Sequence, residues 1–243
     1  MNDVAEPTTP PLLPGDVAPA NAVEAAILSR RSVRGFLPTP VPRADIEHLL
    51  DVAARAPSGT NMQPWRVVAL GGEELRAFCD GVAAAFTSGA EPDGIEHSYY
   101  PRPLHEPYLT RRRKIGWDLY GHLGIARGDR ERAAAHVVRN LHYFGAPVGL
   151  ICTIDSRLEI GSWLDYGMFL ENIATAARGR DLDTCHMAVF AEFPRTIRTL
   201  LRIDAAETIV CGVAIGHADP DEPANALRTE RTPAAAFTDF RGF

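Results

Sequence analysis

Lysine is almost missing from this 243-residue chain. Lys114 stands alone, and the rest of the 25 basic residues are arginine. Fixed positive charge is therefore carried by planar, permanently protonated forks, which suit phosphate and carboxylate. Basic charge is also in deficit, 25 Lys and Arg against 31 Asp and Glu, for a net charge of −6. No global positive field is present to recruit nucleic acid. Cysteine is scarce: Cys79, Cys152, Cys185 and Cys211 make no C-x-x-C pair, which argues against a zinc ribbon, a thioredoxin-like dithiol and a disulfide scaffold. Cys152 and Cys211 lie in apolar runs and read as small core residues. There is no H-E-x-x-H, and His136 and His142 stand six apart, wrong for one helix face; no metal site is expected. The N-terminus has Asp3 and Glu6 but no basic start and no apolar stretch, so it does not read as a signal peptide. No apolar run approaches the roughly 20 residues that cross a bilayer. A cytoplasmic protein without membrane or nucleic-acid partners is expected. G-x-G-x-x-G after a strand and G-x-x-x-x-G-K-[ST] are both missing, so neither a Rossmann site nor a Walker NTPase is supported.

What is present reads as a mixed α/β chain. Residues 1–20 carry Pro7, Pro10, Pro11, Pro14 and Pro19 and little to bury, a flexible arm. Asn21 with Glu24 three later forms an N-cap for a short first helix. Ile46, Leu49, Leu50 and Ala53 keep helical spacing, and Ala56-Pro57 ends that helix. Strands are expected at Trp65–Leu70, Val148–Ile154 and Thr208–Gly216. Helices are expected at Glu73–Phe86, about 110–124, about 130–144, 162–178 with Ser162 and Asp165 as a capping-box variant, and Pro194–Leu201. The helix from Ser162 is apolar around most of its girth, which predicts burial on several sides and use at a subunit interface. Residues 87–127 mix an irregular stretch rich in Tyr and Pro with helix, the composition of an aromatic lid. Residues 218–243 lack a period yet hold Phe237, Phe240 and Phe243. Few strands without strict βαβ alternation make the class α+β.

Two segments carry chemistry. Arg30-Arg31-Ser32-Val33-Arg34-Gly35-Phe36 puts three guanidiniums and a hydroxyl within five residues, a donor set for an oxyanion. In an extended chain Arg30, Ser32 and Arg34 share one face and Arg31 points away. Gly35 eases the backbone. Pro57-Ser58-Gly59-Thr60-Asn61-Met62-Gln63-Pro64-Trp65 sets hydroxyls and amides between prolines, a rigid string able to read the edge of a heterocycle. A solvated charge run and an ordinary turn are the plainer alternatives.

Together these segments resemble the nitroreductase family of FMN-dependent enzymes, over roughly residues 21–233. The family's R-x-S-x-[RK]-x-F segment is matched by Arg30, Ser32, Arg34 and Phe36. Its P-S-[SG]-x-N-x-Q-P-W loop is matched by Pro57, Ser58, Gly59, Asn61, Gln63, Pro64 and Trp65. Past the strand that closes in Gly216 come Asn225, Arg228, Arg231 and Pro233. Arg112-Arg113, Gly116, Leu119-Tyr120 and Leu123 to Arg127 look like the 4-nitrobenzoate or nitroaromatic reductase branch.

The resemblance implies an α/β/α sandwich with an antiparallel-rich sheet, folded as one domain over 21–217 in an intertwined homodimer, with 218–243 wrapping the partner subunit. It implies FMN as cofactor and NADPH or NADH as reductant in ping-pong turnover, the nitroaromatic compound passing through nitroso to hydroxylamine. Flavin contacts are implied at Arg30, Arg31, Ser32 and Arg34, at Pro57, Ser58, Gly59, Asn61 and Gln63, at the backbone of Met187, Ala188 or Val189, and at Arg228 and Arg231. Thr60, Tyr99, Tyr100, Tyr108, Trp117 and Tyr120 are the implied substrate contacts. No side chain is expected to act as nucleophile or essential acid. The chain departs from the pattern at Cys185-His186-Met187-Ala188-Val189, where many members have P-x-E-G, and His186 reads as a packed residue. Arg113 or Lys114 would serve near flavin N1 and C2=O. Other flavin reductions on the same fold, namely ene or quinone reduction, dehalogenation and flavin destruction, are the alternative. A non-enzymatic polyanion binder is the second, supported by Arg111 to Lys114.

Overall fold

A computed structural model describes residues 17–88 and 93–243. Residues 1–16 of the expected N-terminal arm and 89–92 of the expected lid lie outside them. Asn21 caps α1 (Ala22–Ser29): its side chain accepts from the amides of Val23 and Glu24, and Glu24 returns a bond from the Asn21 amide. Helix α2 (Arg43–Ala53) follows, then β1 (Arg66–Gly71) and α3 (Gly72–Thr87). Gly72 has φ +57, the left-handed corner that lets strand turn directly into helix. Helices α4 (Tyr108–His122) and α5 (Arg130–Leu141) precede β2 (Val148–Asp155) and the long α6 (Ile160–Arg178). The chain closes with β3 (Asp183–Met187), α7 (Pro194–Leu201) and β4 (Glu207–Gly216).

The four strands form one antiparallel sheet in the order β1-β2-β4-β3. Alternate residues feed two separate cores. Leu150, Cys152, Ile154, Val213 and Ile215 meet α2 and α6 through Ile46, Leu49, Tyr166, Phe169 and Ile173. Ile151 and Ala214 face the other way, toward Phe78, Val82, Tyr143, Phe190 and Ile197. Covered on both faces, β2 and β4 are apolar runs instead of alternating ones. The result is the expected α+β arrangement of an α/β/α sandwich. All four cysteines are buried and unpaired, and Cys152 stands opposite Cys211 across β2 and β4.

Three expectations need correction. Strand β3 was not foreseen, because Asp183-Thr184-Cys185-His186-Met187 has no alternation to announce it; its pairing with β4 makes it a strand. Glu159, not Ser162, holds the N-cap position of α6, and Ser162 is buried inside the first turn. Helix α5 stops at Leu141, since Tyr143 and Phe144 take positive φ in a tight 3-10 turn that drives both rings into the core. Helix α4, by contrast, falls where a helix was expected at about 110–124, and it has no buried residue.

Candidate functional site

A cleft of about 1060 Å³ opens where residues 27–34, the end of α1 and the segment after it, face residues 227–232. Arg30, Arg31, Ser32 and Arg34 line one wall, Arg228 and Arg231 a second. The first wall is built by β3. Ser32 bridges in parallel to Thr184, and the Val33 amide donates to the Thr184 carbonyl at 3.0 Å. Val33 is fully buried and pins the segment, leaving its polar neighbours at the cleft. Beneath lies a buried ion pair, Arg178 Nη1 to Asp183 Oδ1 at 2.9 Å, and Arg178 Nε also donates to Ser29 Oγ at the end of α1. Breaking one partner of such a pair leaves an uncompensated charge, so it fixes α1, α6 and β3 where they converge.

Asn225 joins the two walls. Its amide nitrogen donates to the carbonyls of Gly35 at 2.8 Å and Asp219 at 2.9 Å, and its oxygen accepts from the Arg34 amide at 2.7 Å. The side chain is buried, so all its polar capacity is turned inward. In the sequence Asn225 belongs to the family pattern without a role of its own; the reach back over some 190 positions leaves no local signal. Gly35 is also explained differently from expectation. Its φ is not positive; instead a Cβ there would collide with the Glu222 side chain, which itself is held by Arg139.

Arg31 corrects the simple alternation: it is half-buried and lines the same cleft as Arg30 and Arg34. Burial, followed by the charge of Arg228 and Arg178, weakens its hold on its proton, with Asp183 opposing. Guanidiniums crowded this way lack enough counter-charge, and a dianionic phosphate is the group that relieves them. The volume also suits a cofactor-sized ligand. On donor chemistry and space, the residues present fit the phosphate end of FMN.

The third wall is α4. Arg111, Arg112 and Lys114 line it, and Arg113 does not. Lys114 is held by Asp118 at 2.7 Å and Glu230 at 3.5 Å, which raises its pKa, the Asp118 hydrogen bond first. Of the expected substrate aromatics only Tyr100 lines the cleft. Tyr99 packs edge-on against it, Tyr120 packs against His136, and Tyr108 and Trp117 are exposed.

The Pro57–Trp65 segment is elsewhere and contributes nothing to the cleft within one chain. Thr60, Asn61 and Gln63 all take positive φ, uncommon for non-glycine residues and costing about 1–3 kcal/mol each. The loop is over-determined from below. Gly59 N donates to the Asp165 carboxylate at 3.0 Å, Gln63 N to Ser58 Oγ at 3.0 Å, and Trp65 stacks on Phe169 at 4.9 Å. Its upper side, from Gly59 to Gln63, is exposed. Met187 is buried at the end of β3, and Ala188 and Val189 begin a half-buried 3-10 turn. His186 is seated against the Leu170 carbonyl at 3.1 Å, and burial lowers its pKa. Among the described residues no His, Cys, Asp and Glu group could hold a metal.

The Nitroreductase family model matches residues 27–217. The chain belongs to the nitroreductase family. A 4-nitrobenzoate reductase of Pseudomonas putida is 41% identical over 90% of this chain and 96% of its own length. A nitrobenzene nitroreductase of Ectopseudomonas oleovorans is 38% identical, over 90% of this chain and 96% of its own. Among solved structures, the FMN and NADPH-dependent nitroreductase NfnB of Sphigopyxis sp. strain HMH superimposes with a TM-score of 0.87 at 36% identity, covering 91% of this chain and 99% of that one. The nitroreductase fold thus accounts for the sandwich.

Proposed function

We propose that this nitroreductase-family chain is an FMN-dependent oxidoreductase that takes electrons from NADPH or NADH and reduces nitroaromatic compounds. The observation that carries the reading is the arginine cleft joined by Asn225, with its excess of unneutralised guanidinium. Arg30, Arg34, Arg228 and Arg231 would hold the FMN phosphate, with Arg31 and Ser32 beside them. FMN, when bound, supplies the hydride chemistry that no side chain can perform. The chain's own task is to bind, orient and exclude water. Ser58, Gly59, Asn61 and Gln63 offer amides and hydroxyls from a strained, rigid loop, with Pro57 and Thr60 in the same segment. The backbone at Met187, Ala188 and Val189, at the end of β3, would add a flavin contact, although these residues do not line the cleft within one chain. Lid aromatics, Tyr100 foremost, present ring faces to a flat substrate. Nicotinamide and nitro compound would take turns at one open face, giving ping-pong kinetics and needing no protein nucleophile.

The same reading calls for a homodimer in which the Asn61 loop of one chain serves the cleft of the other. An unburied apolar stripe along α6 supports it: Ile160 is 79% exposed, Leu164 69% and Met168 39%, spaced i, i+4, i+8 on one face. The tail from residue 233 to 243 is exposed throughout and carries Phe237, Phe240 and Phe243, as an arm made to lie on a partner would. Four unpaired thiols suit the reducing cytoplasm, and no helix among the described residues is long and apolar enough to cross a membrane.

The test is direct. Purified protein loaded with FMN should be yellow, bleach anaerobically with NADPH or NADH, and regain colour on adding 4-nitrobenzoate or nitrobenzene with a hydroxylamine product. Protein that added FMN cannot colour would overturn the reading and return the cleft to a polyanion-binding role. Bleaching reversed only by quinones or enones would move the chain to another flavin reduction.

A further inference from the structure

The cleft holds more positive charge than one phosphate can use. Eight cations line it against three carboxylates, Asp118, Glu171 and Glu230. Lys114 takes Asp118 and Glu230, and Glu171 lies 3.9 Å from Arg30. Arg111 and Arg112 have no ion pair among the described residues. Arg111 has only the neutral Thr232 hydroxyl, at 3.1 Å, and Arg112 lies over the Tyr100 ring at 4.6 Å. Both sit near the start of α4, where the helix dipole disfavours cations. Intrinsic helix stability therefore does not explain them.

Resting on the flavoenzyme reading, we propose that Arg111, Arg112 and Tyr100 form a subsite for the 2′-phosphoadenosine end of NADPH, making the enzyme select NADPH over NADH. The chemistry fits in two parts. Two guanidiniums can engage the three oxygens of a phosphate monoester dianion, whereas a single carboxylate is satisfied by one fork. Arg112, its guanidinium carbon 4.6 Å from the Tyr100 ring centre, and Tyr100 itself together offer π surface of the kind an adenine ring packs against. NADH carries the adenine without the 2′-phosphate, so it forfeits the charged half of the contact. The arginines of the chain ends remain with the flavin phosphate, and α4 serves the reductant.

The probes are 2′,5′-ADP and 5′-AMP, titrated calorimetrically into the FMN-loaded enzyme without turnover. 2′,5′-ADP should bind at least about tenfold tighter than 5′-AMP, and the preference should collapse in Arg111→Gln/Arg112→Gln, together with the NADPH-over-NADH ratio of kcat/KM. Equal binding of the two probes by the unaltered enzyme would overturn the subsite, whatever the variant does. Loss of flavin from the variant would also overturn it, by assigning both arginines to the FMN phosphate. A variant that keeps its probe preference but loses discrimination between 4-nitrobenzoate and nitrobenzene would reassign them to the substrate carboxylate and overturn it too. Holoenzyme that oxidises neither nicotinamide sinks the oxidoreductase reading along with the subsite; equal binding in an active enzyme sinks the subsite alone.

Discussion

Two regions of this nitroreductase were both legible as polar, functional segments, yet the fold treats them in opposite ways. The Arg30–Phe36 segment is finished within one chain: β3 pairs with it, Asn225 clamps it, and an Arg178–Asp183 pair underpins it. The Pro57–Trp65 loop is held rigidly from below by Asp165, Ser58 and the Trp65–Phe169 stack, while its reading edge is left in solvent. Strain is stored in the second region and not in the first: three positive-φ residues against none between Arg30 and Phe36. The difference teaches that the arginine segment is fully braced within one chain, whereas the loop is held rigid with its polar edge in solvent, as the proposed service to a partner's cleft requires.

The largest effect is expected where the anchor is joined. Asn225→Leu removes the three hydrogen bonds of a buried side chain and strands the Arg34 amide, while the Gly35 and Asp219 carbonyls keep only the amides of Asp219 and Glu222, a loss of about 3–5 kcal/mol. Thermal unfolding should shift down by about 10 °C and FMN should wash out on gel filtration; an unshifted, flavin-replete variant would break the claim that Asn225 assembles the cleft. Next comes Arg34→Ala, with about 1.5–3 kcal/mol lost from FMN binding, read as a rise in Kd by fluorescence titration. Arg31→Ala should follow it, because Arg31 shares the cleft, whereas a surface control such as Arg43→Ala should not. Gly35→Ala forces the Glu222 side chain aside at about 1–3 kcal/mol, seen in unfolding and in flavin content together. The smallest effect sharpens the contrast: Ser58→Ala loses one bond to the Gln63 amide, about 1 kcal/mol. It should lower nitro-reductase turnover and cost FMN affinity less than Arg34→Ala does; a loss of FMN affinity as large as that of Arg34→Ala would mean that the loop also anchors the phosphate.

Much of the scaffold was readable because its signals are local. Asn21 and Glu24 spelled a cap, Pro194 a first helical position, and the run Val148–Ile154 a fully apolar strand. The donor set at Arg30 to Arg34 was readable for the same reason, being packed into five residues. What stayed hidden depends on distance. Strand β3 has no pattern of its own and exists because β4 is beside it. Arg111 and Arg112 read in sequence only as support for a polyanion binder; their place at the cleft comes from α4 meeting Thr232 and Glu230. The direction of Arg31 was misjudged because the bridge at Ser32 and the buried Val33, not ideal strand alternation, set the segment's twist. Of the lid aromatics composition could name six candidates with Thr60 but could not say that Tyr100 alone turns inward.

The central claim, that one chain's arginine cleft works with the other chain's Asn61 loop, is tested most directly by complementation. Arg30→Ala/Arg34→Ala damages the cleft, and Asn61→Ala/Gln63→Ala damages the loop. Each homodimer should be nearly inactive. In a mixed dimer, isolated through two affinity tags, one site would carry both lesions and the other none, so NADPH-driven reduction of 4-nitrobenzoate should recover to about half the unaltered rate per dimer. Mixed dimers as inactive as either parent would contradict the account, because each site would then draw its cleft and loop from the same chain.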